Sequence, residues 1–212
     1  MGMSILQNVF EKGGPVMWPL AACSLIALTV TLERLMFWFR ERLRRDDRAM
    51  AEVWALVERG EFEQALSAGK KRPGFALRMT LKGLKDREHG FSQVMQVEAS
   101  GEIEAMKQGL SVLDTIITLA PLLGILGTVI GIIESFDLLG ASGIEDPKAV
   151  TGGIAQALIT TAAGLAIAIA TLIPFNYFVS RTERAARRLE EIAAQLEVAL
   201  RRGRAGRREH AG

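Results

Sequence analysis

The sequence predicts an all-α integral membrane protein with three transmembrane helices, two of them extended into the cytoplasm. Three observations carry that expectation. The apolar residues of the 212-residue chain gather in three runs, each at or above the roughly 20 residues that cross a bilayer's hydrocarbon core. The charges gather between the runs. Arginines crowd the far ends of the first and third runs but not the short segment between the second and third, and this asymmetry orients the helices.

The first run spans 19–39, PLAACSLIALTVTLERLMFWF, with Glu33 and Arg34 as its only charges. It reads as a retained helix and not as a cleaved leader. Only Lys12 is basic before it, and arginines follow it at once. Trp18 and Trp38 flank it as interfacial anchors, and an ion pair between Glu33 and Arg34 is expected at its inner boundary. The segment 1–18 is expected on the periplasmic side. Its stretch MSILQNVF has apolar residues at helical spacing, which fits either a short interfacial helix or a frayed terminus. The second run lies within 114–139 and the third is 152–179, joined by a periplasmic loop, 140–151, whose only basic residue is Lys148.

The cytoplasmic region 40–113 reads as a series of helices. Met50, Val53, Trp54 and Val57 form one helical stripe, broken by Gly60. A short helix follows before Gly69 and Pro73, and another occupies 75–86. From Phe91 a helix is expected to run straight into the second membrane helix. Val94, Val97, Ile103, Met106 and Leu110 form its packing face, with Gly101 and Gly109 as weak points. The segment 180–212 continues the third helix. Its narrow stripe of Leu189, Ile192, Leu196 and Leu200 suits helix association, including between subunits. The arginine- and glycine-rich end, 201–212, reads as disordered.

Composition narrows the function classes. A formal net charge of +2 gives no sign of a nucleic-acid binder. Cys23 is the only cysteine, so no intrachain disulfide can form. The membrane runs hold no histidine, no metal-ligand cluster and no nucleophile–base pair. No enzyme activity, catalytic residue, metal or cofactor is therefore expected. The phosphate-binding pattern GxxxxGK[ST] is absent, so any energy source must come from outside this chain.

The second and third helices carry the chemistry. The second places Gly124, Thr128, Gly131 and Ser135 on one stripe, with Gly127 beside it. The third places Ala157, Thr161, Gly164, Ala168 and Thr171 on another. Two readings fit. Small residues let helix backbones approach closely in lipid. Alternatively, threonine hydroxyls offer oxygens to water or an ion. Thr128 lies about 17 Å and Thr161 about 14 Å below the outer ends of their helices, at about 1.5 Å per residue. Glu134 is an acidic residue roughly one turn deeper than Asp137, which makes it either a functional candidate or a hydrated boundary group. The third helix has no central carboxylate.

APLLGILGTVIGIIESF, then GGIAQALITTAAGLAIAIATLIPFNYF, resembles the MotA/TolQ/ExbB proton-channel family, most closely its ExbB/TolQ branch. SLIALTVTLERLMFWF in the first helix is similar to the same branch. The resemblance implies a pentamer in a bacterial inner membrane, its second and third helices lining a pore. The pore would hold the single helices of an ExbD/TolR-like partner that carries a membrane aspartate. Ion flow would then be coupled to work on cell-envelope proteins. The family's pore threonines fall on Thr128 and Thr161, and its opening proline on Pro121. Thr160, Gln156 and Glu134 complete the candidate ion pathway, while Pro121, Gly124, Gly127, Gly131, Gly164 and Ala168 are candidate packing residues. Some members have a glutamate where this chain has Gln156, which hydrogen-bonds but does not titrate. The residues leave open both proton and sodium coupling, and also a non-conducting scaffold.

Overall fold

The structure is a computed structural model that describes residues 13–44, 47–69, 74–86, 90–142 and 147–209. The described residues form seven helices. These are α1 (Met17–Arg44), α2 (Asp47–Glu58), α3 (Phe62–Ala68), α4 (Phe75–Lys85), α5 (Phe91–Lys107), α6 (Leu110–Ser142) and α7 (Pro147–Glu209). Three stretches are long and apolar enough to cross a membrane: Met17–Arg44, and parts of Phe91–Asp137 and Thr151–Leu200. The protein is an all-α membrane protein with three transmembrane helices.

The chain divides into two compact units, Met1–Arg34 with Gly109–Phe178, and Leu35–Gln108 with Val179–Gly212. The first unit holds the apolar spans. Its outward faces are unlike those of a water-soluble domain: Leu158 is 66% and Ile173 70% exposed. The inward face of α1 is made by Leu20, Cys23 and Ala27, all buried. Arg34 is buried at its end and pairs with Glu33, as the sequence predicts.

The second unit has an ordinary hydrophobic core. Val53 and Val57 of α2, Leu77 and Leu84 of α4 and Met95 of α5 pack with Leu189, Ile192, Leu196 and Leu200 of α7. The apolar stripe of α7 is thus consumed within the chain, and association between subunits is not what buries it. Full burial of such side chains contributes about 1.5–3 kcal/mol each, which is why four short amphipathic helices hold together here. Antiparallel α4 and α5 are also zipped by ion pairs, Arg78 with Glu102 and Lys82 with Glu98.

Several sequence expectations shift. The helix from Phe91 does not run on: α5 ends at Lys107, Gln108 turns to an extended ψ of 133°, and Gly109 takes φ +76°. Only glycine adopts that left-handed conformation freely, and a Cβ at Gly109 would lie 3.0 Å from the Val30 side chain of α1. Of the two suspected weak points, Gly109 is the break, whereas Gly101 lies within α5. Val97 is 69% exposed and not on the packing face; Met95 is buried in its place. Trp18 is exposed, but Trp38 is only 7% exposed, so it is a packed residue of the second unit and not a free interfacial anchor. The segment 201–209 is helical where disorder is expected; the helix propensity of its arginines favours this, against Gly203 and Gly206. The stretch MSILQNVF lies outside the described residues.

Candidate functional site

The candidate site is the contact between α6 and α7, and glycine creates it. Ideal Cβ atoms built on the glycines show how close the two backbones come. At Gly124 a Cβ would lie 3.0 Å from the Thr161 Cα and 3.1 Å from the Thr160 carbonyl oxygen. At Gly131 it would lie 2.7 Å from the Gly153 carbonyl oxygen. At Gly164 it would overlap the Ala120 carbonyl oxygen. Gly127 receives the Thr160 side chain, 2.7 Å from the would-be Cβ. The contacts at Gly124, Gly131 and Gly164 are backbone against backbone, the kind that membrane helices use because lipid gives no hydrophobic drive for association. Gly124, Gly127, Gly131, Gly164, Ala168 and Ala157 are all buried, and Pro121 is half-buried within α6. The two stripes come together at Gly124, Gly131, Ala157, Thr161 and Gly164.

This close approach brings the two threonines together. The Thr128 and Thr161 hydroxyls hydrogen-bond to each other. Thr128 also donates toward the Gly124 and Ala157 carbonyl oxygens at 3.2 Å, and Thr161 toward Gly124 at 3.1 Å. Both residues are half-buried. Thr160 is different. It is fully buried, with its hydroxyl turned to the Gln156 and Ala157 carbonyls at 3.1 and 2.9 Å. The arrangement is a polar spot in an apolar contact, with its hydroxyls bonded to each other and to the Gly124 and Ala157 carbonyls, which the close approach at glycine brings within reach.

A second polar pair lies farther along the same contact. The Gln156 side-chain amide donates to Glu134 at 3.2 Å. Glu134 is exposed and Gln156 half-buried. Glu134 lies six residues beyond Thr128, and Gln156 five before Thr161, an axial offset of about 7–9 Å. The antiparallel helices therefore place the two pairs at matching levels, as two rungs. Asp114 and Asp137 are exposed.

Three features escape the sequence, two of them at this site. Gly14 adopts φ +68°, and a Cβ there would overlap the Gln156 amide nitrogen, so the turn before α1 closes over Gln156. The signal is the Gly13-Gly14-Pro15 run, which by itself marks only a turn. Gly153 approaches Ser135 so closely that a Cβ would meet its hydroxyl. In the other unit, Arg78 bridges Glu102 at 2.8 Å and Glu41 at 3.5 Å, and Glu41 also accepts from the Phe75 amide at the start of α4. The hydrogen bond to Glu102 is the main reason the Arg78 guanidinium sits above its ordinary pKa; burial opposes it and the nearby carboxylate charges add to it. Contacts between residues so far apart in the chain leave no local pattern.

The chain matches the MotA/TolQ/ExbB proton channel family over residues 72–191. It is 36% identical over 207 residues to a Synechocystis sp. protein named biopolymer transport protein ExbB-like 1, covering 92% of this chain and 79% of the relative. It is 29% identical over 186 residues to the biopolymer transport protein exbB1 of Vibrio cholerae, covering 79% and 76% of the two chains. It is 36% identical over 113 residues to the Tol-Pal system protein TolQ of Pseudomonas aeruginosa, covering 53% and 49%.

Proposed function

The chain belongs to the MotA/TolQ/ExbB proton channel family, and from that premise we propose that it is the pore-forming ring subunit of an ion-driven motor in a bacterial inner membrane. The observation that carries the proposal is the hydroxyl pair of Thr128 and Thr161, backed one level away by Glu134 and Gln156. In this reading 19–39 is a peripheral span, while 114–139 and 152–179 line the pore of a homopentamer. The N-terminus is periplasmic and 40–113 and 180–212 are cytoplasmic, as the arginine distribution directs.

The mechanism needs a partner. Neither rung places a titratable group beside the threonines, so the ion-carrying carboxylate belongs on a second protein. That protein is an ExbD/TolR-like single-span subunit with a membrane aspartate. The threonine hydroxyls give the carboxylate, or water, a polar stop at mid-depth. Glu134 is the chain's own carboxylate on the outer rung, held by the Gln156 amide, and it gathers cations at the entrance. Each elementary charge crossing the membrane releases about 2.3 kcal/mol per 100 mV, so a few ions per step suffice for mechanical work. The work is delivered to a cell-envelope process. Protons are the first candidate ion; hydroxyl and carboxylate oxygens also suit sodium.

A non-conducting scaffold is the second reading. It is favoured by one observation: the Thr128, Thr160 and Thr161 hydroxyls are satisfied inside this chain. Thr161→Val separates the two. The Thr161 backbone lies against Gly124, so a bulky replacement would wreck the packing and prove nothing, whereas valine keeps the shape. The full chain is reconstituted with its one-span partner in vesicles, and proton uptake is followed under an imposed potential. Loss of uptake with oligomer size unchanged is expected. Full uptake in both Thr161→Val and Thr128→Val would overturn the motor assignment.

A further inference from the structure

The second compact unit contains a cavity of about 490 Å³ that the ion pathway does not use. Its lining carries Arg42 from α1 and Arg181, Arg184 and Arg188 from α7. Two carboxylates also line it, Glu41 and Asp47, and both are engaged. Asp47 accepts from Arg188 at 3.3 Å. Glu41 is buried and turned to the Phe75 amide and to Arg78, a further cation behind the wall. Among the described residues, Arg42 and Arg184 form no ion pair. The cavity is therefore positively charged beyond what its own acids offset.

The rest of the lining is apolar and includes Met50, Phe75, Leu77 and Trp38. Trp38 orders the site. Its ring lies 5.6 Å from the Arg181 guanidinium carbon in a cation–π contact. Its buried indole N–H has no acceptor among the described residues, and such a donor calls for an explanation.

Position in the chain selects the occupant. Trp38 is the last residue but one of the apolar run 19–39, and Arg181 lies two residues beyond the run 152–179. Both belong to the depth at which helices leave hydrocarbon for lipid headgroups. Arginine forks fit the oxygens of a phosphate. We propose that this cavity binds the phosphate of an anionic membrane phospholipid. Arg42, Arg181 and Arg184 grip the phosphate, and the Trp38–Phe75 side takes the glycerol and first methylenes. The proposal does not depend on ion conduction.

The test uses the full chain in nanodiscs of phosphatidylcholine with or without phosphatidylglycerol, and in phosphatidylcholine with inorganic phosphate. Native mass spectrometry counts the lipid retained on release. The wild type is expected to keep about one phosphatidylglycerol per chain. Arg42→Gln with Arg184→Gln, both exposed and away from the unit's core, is expected to weaken retention at least about tenfold while thermal melting in phosphatidylcholine stays unchanged. Equal retention by the variant would overturn the site. Equal protection by inorganic phosphate would overturn the lipid as its source. Loss of the oligomer in the variant, without lipid bound to the wild type, would assign the arginines to a subunit contact instead.

Discussion

The two compact units solve the packing problem with opposite residues. In the apolar unit the tightest contacts are made by what is missing: Gly124, Gly131 and Gly164 let α6 and α7 touch along their backbones. In the other unit the core is filled by large side chains, with Leu189 and Leu196 fully buried among Val53, Val57 and Met95. The difference follows from the solvent. Water drives large apolar groups together. Lipid does not, so a membrane contact gains from close approach and from the hydrogen bonds that approach permits. The polar groups at these contacts differ too: short hydroxyls bond across the α6–α7 contact, whereas Arg78 joins Glu41 and Glu102 in a charged network in the second unit.

The largest effect expected is at that network. Arg78→Met leaves Glu41 buried without its cation, and breaking a buried pair costs about 3–5 kcal/mol. The full chain in detergent should melt at markedly lower temperature. Adding Glu41→Gln should recover part of the loss, because the stranded charge is gone. The pH dependence has a definite sign. Arg78 has a raised pKa in the folded state, so its contribution is complete below the unfolded value and lost only as pH rises through the still higher folded one. Across the neutral range the difference in melting between the wild type and Arg78→Met should stay flat on its account.

Core truncation comes next. Leu196→Ala in α7 should cost about 2–5 kcal/mol, since Leu196 is fully buried in the second unit's core. If α7 were instead packed against a neighbouring subunit, the loss would scale with protein concentration; here the difference in melting between the wild type and Leu196→Ala, compared at equal concentrations, should not depend on it.

Glycine substitutions sharpen the comparison because their sign differs between one position in each unit. Gly131→Val in α6 drives a methyl-bearing carbon toward the Gly153 carbonyl and should cost about 1–3 kcal/mol or more. Gly101→Ala in α5 meets nothing within 4 Å. It should stabilise by about 0.5–1 kcal/mol, the helix preference of alanine over glycine. Opposite shifts in melting temperature are the expected outcome, and a destabilising Gly101→Ala would contradict the open environment of that face.

The legibility of these features tracks their range along the chain. The three spans are readable because hydrophobic length is a local property, and the stripes of α6 and α7 because helical period is local too. Pairing Thr128 with Thr161 was within reach, since equal depth in antiparallel helices follows from counting residues. The break at Gly109 was visible as a glycine, but its left-handed φ depends on the fold around it. The destination of the α7 stripe was not readable. An apolar stripe says that something covers it and does not say what, and here four helices of the same chain do. Trp38 misled for a related reason, as a tryptophan at the end of a span sits equally well in headgroups or beneath an arginine.

The smallest expected effect on stability is also the one that bears most on function. Thr128 and Thr161 form a pair that can be measured by a double-mutant cycle with Thr128→Val and Thr161→Val. Hydrogen bonds between membrane helices average about 0.6 kcal/mol in such cycles, so the coupling in thermal or denaturant stability should be of that order. Ion uptake should respond quite differently: either single substitution should remove most of it, and the double should add little. That contrast is the signature of a site, because a pair retained for packing would lose stability and activity in proportion. Thr171→Val supplies the reference. It is buried on the same helix and, among the described residues, its hydroxyl bonds only to the Ile167 carbonyl, at 2.7 Å, so its loss should cost as little stability and leave uptake intact. Uptake that falls equally in Thr171→Val would mean that the polar stripe works only by holding α6 against α7.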